Sequence, residues 1–209
     1  MGRRKLIKTD EFPYHIVSRT NNKEWFALEL EQVWRIVKDS LLYSYERCPF
    51  ELIDFVLMNN HYHMLIKTPN ANIDEIMFYF NSFLSKSLRL RTNRINRMFG
   101  GRYKWSIVDN ETYLYTVTRY IFQNPIRAGI STDCNSYPFS TLFYKVNKLK
   151  FCIPLYSLFP TSNFSDHSFI DWLNSINDKR DNEIRRGLKQ KYFNPCSTGP
   201  RKKIHHKNW

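Results

Sequence analysis

From Phe50 to Met58 (FELIDFVLM) the chain is apolar on both alternating faces, with Asp54 the interruption in its middle. Such a run reads as a central strand with one face on helices. Asn59 and Asn60 follow, a pair that supplies a tight two-residue turn because Asn tolerates positive φ. His61 to Thr68 (HYHMLIKT) then returns as the adjacent antiparallel strand. This hairpin organises the rest of the reading.

Before it, Pro13 to Arg19 alternates as a strand does, and the polar cluster Thr20 to Lys23 ends it. Between Leu28 and Glu46 the residues Leu30, Val33, Trp34, Val37, Leu41 and Tyr45 recur at helical spacing. After the hairpin, Asp74 to about Arg91 predicts a second helix, and Arg102 to Val108 a fourth strand beyond the break at Gly100 and Gly101. Asn110 to about Gln123 predicts a third helix with an Asn cap and a Pro125 stop. The order β-α-β-β-α-β implies an α+β fold, a ferredoxin-like antiparallel sheet with helices packed on one face.

Past Ser131 the pattern weakens, and the three prolines between Tyr137 and Pro160 suit an irregular connection. Asp166 caps one more predicted helix carrying Phe169, Trp172, Leu173 and Ile176. From Lys179 to Trp209 there are ten Lys or Arg against two acids. The reading is therefore a domain over residues 1–145 and a basic, partly helical extension over 146–209.

The formal charge is +13, which points to a polyanionic partner, since a basic field attracts phosphates. Cys48, Cys134, Cys152 and Cys196 are scattered, form no CxxC pair and read as reduced thiols. No run of about 18 apolar residues occurs, so no membrane span is expected and the chain reads as cytoplasmic.

Strand alternation puts His61 and His63 on one face and Tyr62 on the other. Two neutral imidazoles so placed suit a metal ion and leave coordination positions open, though such a pair also serves packing. On the third helix Tyr120 and Asn124, four apart, share a face with Val117 and Tyr113, whereas Tyr115 points elsewhere. An isolated helical tyrosine is ordinarily core, and only a neighbouring metal site gives it another role. Lys86 to Lys104 holds seven basic residues and no acid, interleaved with Phe99 and Tyr103. That composition fits a groove tracking a single strand, with Lys86, Arg89, Arg102 and Lys104 as contacts, or a solvated helix face. Arg119 and Arg127 flank Tyr120 and are expected to meet phosphate.

Met58 to Ile66 (MNNHYHMLI) resembles the histidine, bulky residue, histidine signature of the HUH endonucleases. Arg119 to Ile130 (RYIFQNPIRAGI) resembles the tyrosine-bearing helix of their single-tyrosine transposase branch. With YHIVSRTNN from Tyr14, GRYKWSIV from Gly101 and YPFST from Tyr137, the chain is similar to the REP-associated tyrosine transposases over about Phe12 to Thr141. The resemblance implies a metal-dependent transposase that cuts single-stranded DNA beside a REP-like hairpin and forms a covalent 5′-phosphotyrosine. Tyr120 is then the nucleophile. His61 and His63 hold Mg²⁺ or Mn²⁺, and Asn124 stands where insertion-sequence relatives carry a metal-binding glutamine. The sequence leaves a homodimer open. A ferredoxin-like module that binds single-stranded DNA or RNA without cutting is the alternative. A zinc hydrolase is poorer, since no third strong ligand lies near the histidines in sequence.

Overall fold

The computed structural model describes residues 5–176 and 178–195, the side chains of 178–180 excepted. Cys196, the basic residues beyond it and the side chains of Lys179 and Arg180 lie outside what is described.

The elements run β1 (Tyr14–Arg19), α1 (Leu30–Arg47), β2 (Glu51–Leu57), β3 (His61–Lys67), α2 (Ile73–Thr92), β4 (Lys104–Ile107), α3 (Glu111–Phe122), α4 (Asn124–Arg127), α5 (Thr141–Val146), α6 (His167–Asn174) and α7 (Asp178–Gly187). The strands form one antiparallel sheet in the order β2-β3-β1-β4, the ferredoxin-like arrangement that the element order implied.

Helices α1 and α2 cover one face, their inward rows meeting Tyr14, Ile16, Phe55, Tyr62 and Met64 in one core. The one-face expectation holds for these two. Helix α3 lies on the opposite face, where Val117, Tyr120 and Ile121 join Ile53, Val56 and Leu65 in a second core. The hairpin strands are apolar on both sides, and each side needs cover.

Strand β2 is an edge strand, which corrects the central position expected from its composition. Its free edge is taken up by later chain. The Leu57 amide donates to the Phe139 carbonyl at 2.9 Å, the Phe55 amide to Thr141 Oγ1 at 2.9 Å, and Tyr156 donates to the Leu52 carbonyl at 2.8 Å. An apolar run this long reads as central because covering segments bury an edge as thoroughly as a neighbouring strand does.

Registry with β3 slips between Leu52 and Asp54, making a bulge at Ile53. Leu52 and Phe55 therefore both enter the first core while Ile53 and Val56 enter the second. Asp54 also turns toward α3. It is 1% exposed, accepts from Thr118 Oγ1 at 2.6 Å and pairs with Lys145 Nζ at 3.1 Å.

The β2-β3 link is as tight as expected, Met58 donating to the His61 carbonyl at 2.8 Å, but neither Asn59 nor Asn60 has positive φ. Their use is different: Asn60 Nδ2 donates to the Lys23 carbonyl at 2.7 Å, and Asn59 accepts from the Phe26 amide at 3.2 Å. The loop after β1 is thereby pinned to the turn. Gly100 presses on the same loop, and a Cβ there would sit 2.8 Å from Asn21 Oδ1.

Residues past 145 are packed into both cores. Phe151 and Ile153 join the first, and Phe164, Leu173, Ile184 and Phe193 the second. Helix α5 falls where an irregular connection was expected, and Ser140 caps it by accepting from the Phe143 amide at 3.2 Å. The Asn110 and Asp166 caps stand where the sequence placed them. Cys48, Cys134 and Cys152 are free thiols. Among the described residues no helix is long and apolar enough to cross a membrane.

Candidate active site

Three histidines and a tyrosine gather between the sheet and α3. His61 and His63 alternate with Tyr62 along β3, and β1 brings in His15, which pairs with Leu65 across the strands. The His61 and His63 rings are 5.2 Å apart, and Tyr120 of α3 stands edge-on to His63 at 5.8 Å. His15 lies 6.4 Å from Tyr120 and contacts His63, Nε2 to Nδ1, at 3.0 Å. This meeting depends on α3 crossing the sheet face opposite α1 and α2.

Burial keeps the imidazoles neutral. It pushes His15 down to about 3 and holds His63 well below the usual histidine range. Burial, with a smaller contribution from the Arg19 charge, lowers His61 to about 4. In the metal-free protein an unfolded histidine titrates near 6.5, so below that pH the unfolded state binds more protons than the folded one. Stability is thus complete above about pH 6.5 and is lost as pH falls toward about 4 for His61 and about 3 for His15. The slope is up to about 1.4 kcal/mol per pH unit for each ring. Urea midpoints should fall between pH 7.5 and pH 5; equal midpoints would contradict neutral burial.

The donor set fits a divalent cation. His61 Nδ1 bonds to Asn60 Oδ1 at 2.7 Å and His63 Nδ1 contacts His15 Nε2 at 3.0 Å, so Nε2 is the nitrogen of each ring that these contacts leave unoccupied. Asn124 donates its amide nitrogen to the Tyr120 and Ile121 carbonyls at 2.8 and 3.1 Å, leaving Oδ1 to offer. Two nitrogens and one amide oxygen leave room for phosphate and water. Among the described residues no cluster of three or more His, Cys, Asp or Glu is arranged to hold a metal ion.

A cleft of about 770 Å³ opens over these groups, lined also by Arg19, Arg102, Lys104, Arg185 and Lys189. Of the contacts expected from sequence, Arg102 and Lys104 line this cleft, whereas Lys86 and Arg89 do not, because α2 lies across the sheet from it. Arg119 and Arg127, expected to meet phosphate, each have protein partners, and Arg127 also lines the cleft. Arg119 bonds to Ser175 and stacks over Trp172, its guanidinium 5.3 Å from the ring centre. Arg127 makes a two-pronged ion pair with Asp181 and also bonds to Gln123, with its guanidinium 5.2 Å from the Tyr120 ring centre. Sequence reasoning missed Asp181, 54 positions from Arg127, and counted Arg185 and Lys189 only within a basic tail. It also missed His15, although strand alternation together with the β1-β3 pairing puts that ring on the face of His63.

A family model described as IS200-like transposase matches residues 8–124, more than half of the chain. Among solved structures, a REP-associated tyrosine transposase bound to a REP hairpin superposes with a TM-score of 0.62 at 15% identity. That match covers 77% of this chain and 94% of the other, and at such identity it speaks for the fold alone. A putative transposase from Deinococcus radiodurans R1 aligns over 58% of this chain and 94% of its own at 16% identity, with a TM-score of 0.39. The latter likeness is too low to argue from. No curated protein matches the chain.

Proposed function

Because this chain belongs to the IS200-like transposase family, we propose that it cuts and rejoins single-stranded DNA beside a folded hairpin, with Tyr120 as nucleophile and a divalent cation held by His61, His63 and Asn124. The observation that carries this is the Tyr120 ring 5.8 Å from that of His63 at the floor of a basic cleft. Tyr120 Oη attacks phosphorus, the bond to the 3′ oxygen breaks, and a 5′-phosphotyrosine and a free 3′-hydroxyl result. The phenol proton passes to solvent and the departing oxygen takes one up. A second 3′-hydroxyl reverses the attack, which turns cutting into joining. A phenol of pKa near 10 is a weak nucleophile, and bound Mg²⁺ or Mn²⁺ polarises the phosphate and offsets the developing charge. His61 and His63 would hold that ion, and α3 carries Tyr120 beside them.

The structural relative is bound to a REP hairpin, and a hairpin of this kind is the proposed partner here. Arg19, Arg102, Lys104, Arg185 and Lys189 are assigned to its phosphates. Arg102→Ala with Lys104→Ala should flatten the plot of log affinity against log salt by about 0.7 for each single-strand phosphate that is no longer neutralised. An unchanged slope would remove both residues from the interface.

The reading is tested by incubating the protein with single-stranded hairpin oligonucleotides and Mn²⁺, then resolving covalent adducts on a denaturing gel. An adduct that chelator prevents is the expected result. Undiminished adduct in excess chelator would remove the metal, and a gel shift with no adduct would make the chain a binding module.

A further inference from the structure

One residue of the cleft floor has no part in the chemistry above. His15 is 2% exposed, stacks on His63 with ring centres 5.2 Å apart and planes 22° apart, and brings Nε2 to 3.0 Å from His63 Nδ1. On the other side of β1 its cross-strand neighbour is Ser106. Ser106 is fully buried, and its hydroxyl has no hydrogen-bond partner among the described residues.

Two ring nitrogens at this distance share one N–H, so a choice between two arrangements is built into the contact. With the proton on His63 Nδ1, that ring donates to His15 and keeps Nε2 as a lone pair toward the cleft. With the proton on His15 Nε2, the neutral His63 carries its own proton on Nε2, the atom a cation needs. His61 faces no such choice from another histidine, because Asn60 Oδ1, an acceptor, takes its Nδ1 proton.

We propose that His15 is a positioning residue, the acceptor that holds His63 in its Nδ1–H form so that Nε2 faces the cation site. His15 then carries its own proton on Nδ1, the ring nitrogen that does not face His63. A buried imidazole here is costly as packing, and a hydrocarbon of similar size fills the space better. Its use lies in the bond to His63. Partners of this kind, set behind ligand histidines, typically change metal affinity by roughly 10- to 100-fold when removed.

This role rests on the proposed ion site but has a readout independent of it. In the metal-free protein, ¹⁵N shifts of the histidine rings report the tautomer directly, and His63 should carry its proton on Nδ1. Mn²⁺ titrated into the DNA-free protein, followed by electron paramagnetic resonance, should bind the His15→Leu variant roughly 10- to 100-fold more weakly. His15→Gln, whose Oε1 is an acceptor, should recover most of that loss, and thermal unfolding should show both variants folded. A His63 proton on Nε2 in the wild-type chain overturns the assignment. So do equal Mn²⁺ affinities in the wild type and His15→Leu. Failure of the wild type to bind Mn²⁺ while His63 is the Nδ1–H form strikes instead at the metal reading, and leaves the tautomer assignment standing.

Discussion

In the Tyr120→Phe variant, covalent attachment to DNA is expected to fall at least about 10³-fold, in line with the loss of an enzyme's sole nucleophile. Hairpin affinity and the unfolding midpoint should stay near their wild-type values. The substitution removes only Oη. The ring, which contacts His15, His63 and the Arg127 guanidinium, is retained. Tyr113 and Tyr115 serve as controls on the same helix, since Tyr113 packs on Phe193 and the Tyr115 hydroxyl donates to Glu111 at 3.0 Å. If Tyr120→Phe still forms adduct while Tyr113→Phe or Tyr115→Phe does not, the nucleophile has been misassigned.

Lys145→Met is expected to destabilise the protein by about 3–5 kcal/mol, the usual cost of stranding one member of a buried ion pair. The Lys145 side chain is 8% exposed and that of Asp54 1%. Without the ammonium, Asp54 retains Thr118 as its one side-chain partner among the described residues, and the Ile53 carbonyl loses the Lys145 bond it accepts at 2.8 Å. Pairing Lys145→Met with Asp54→Leu should recover much of the loss, because both desolvated charges then disappear. Urea unfolding of the two single variants and the double variant gives the coupling directly. Purely additive losses would mean that the pair is not formed in solution. Thr118 lies two residues before Tyr120, so Lys145→Met should also loosen α3 and slow cleavage.

Much of this molecule is legible in the sequence because its signals are local. Helical stripes, Asn110 and Asp166 caps, and the alternation that puts His61 and His63 on one face all depend on residues within a few positions. What escaped depends on partners far along the chain. Composition could not distinguish a central β2 from an edge strand buried by segments around Phe139 and Tyr156. Asp54 stood out as an odd residue in an apolar run, but Lys145, 91 positions away, is what accounts for it. Arg119 and Arg127 had the right charge and neighbourhood for phosphate, but their partners Ser175, just past α6, and Asp181, in α7, lie far along the chain. His15 was visible as a residue, and only the β1-β3 register gives it His63.

The covered edge of β2 also bears on how the chain leaves the ribosome. The Phe55 amide finds its acceptor in Thr141, 86 positions downstream. At synthesis rates of about 5–20 residues per second, that interval lasts roughly 4–17 s. For most of it, once β3 has been made, the β2-β3 hairpin is available while the outer edge of β2 is bare, a template for pairing with other nascent chains. Prompt arrival of the segment from Tyr137 to Thr141 therefore limits self-association during synthesis, and a mutation that delays its docking would lower yield without touching a single group in the cleft.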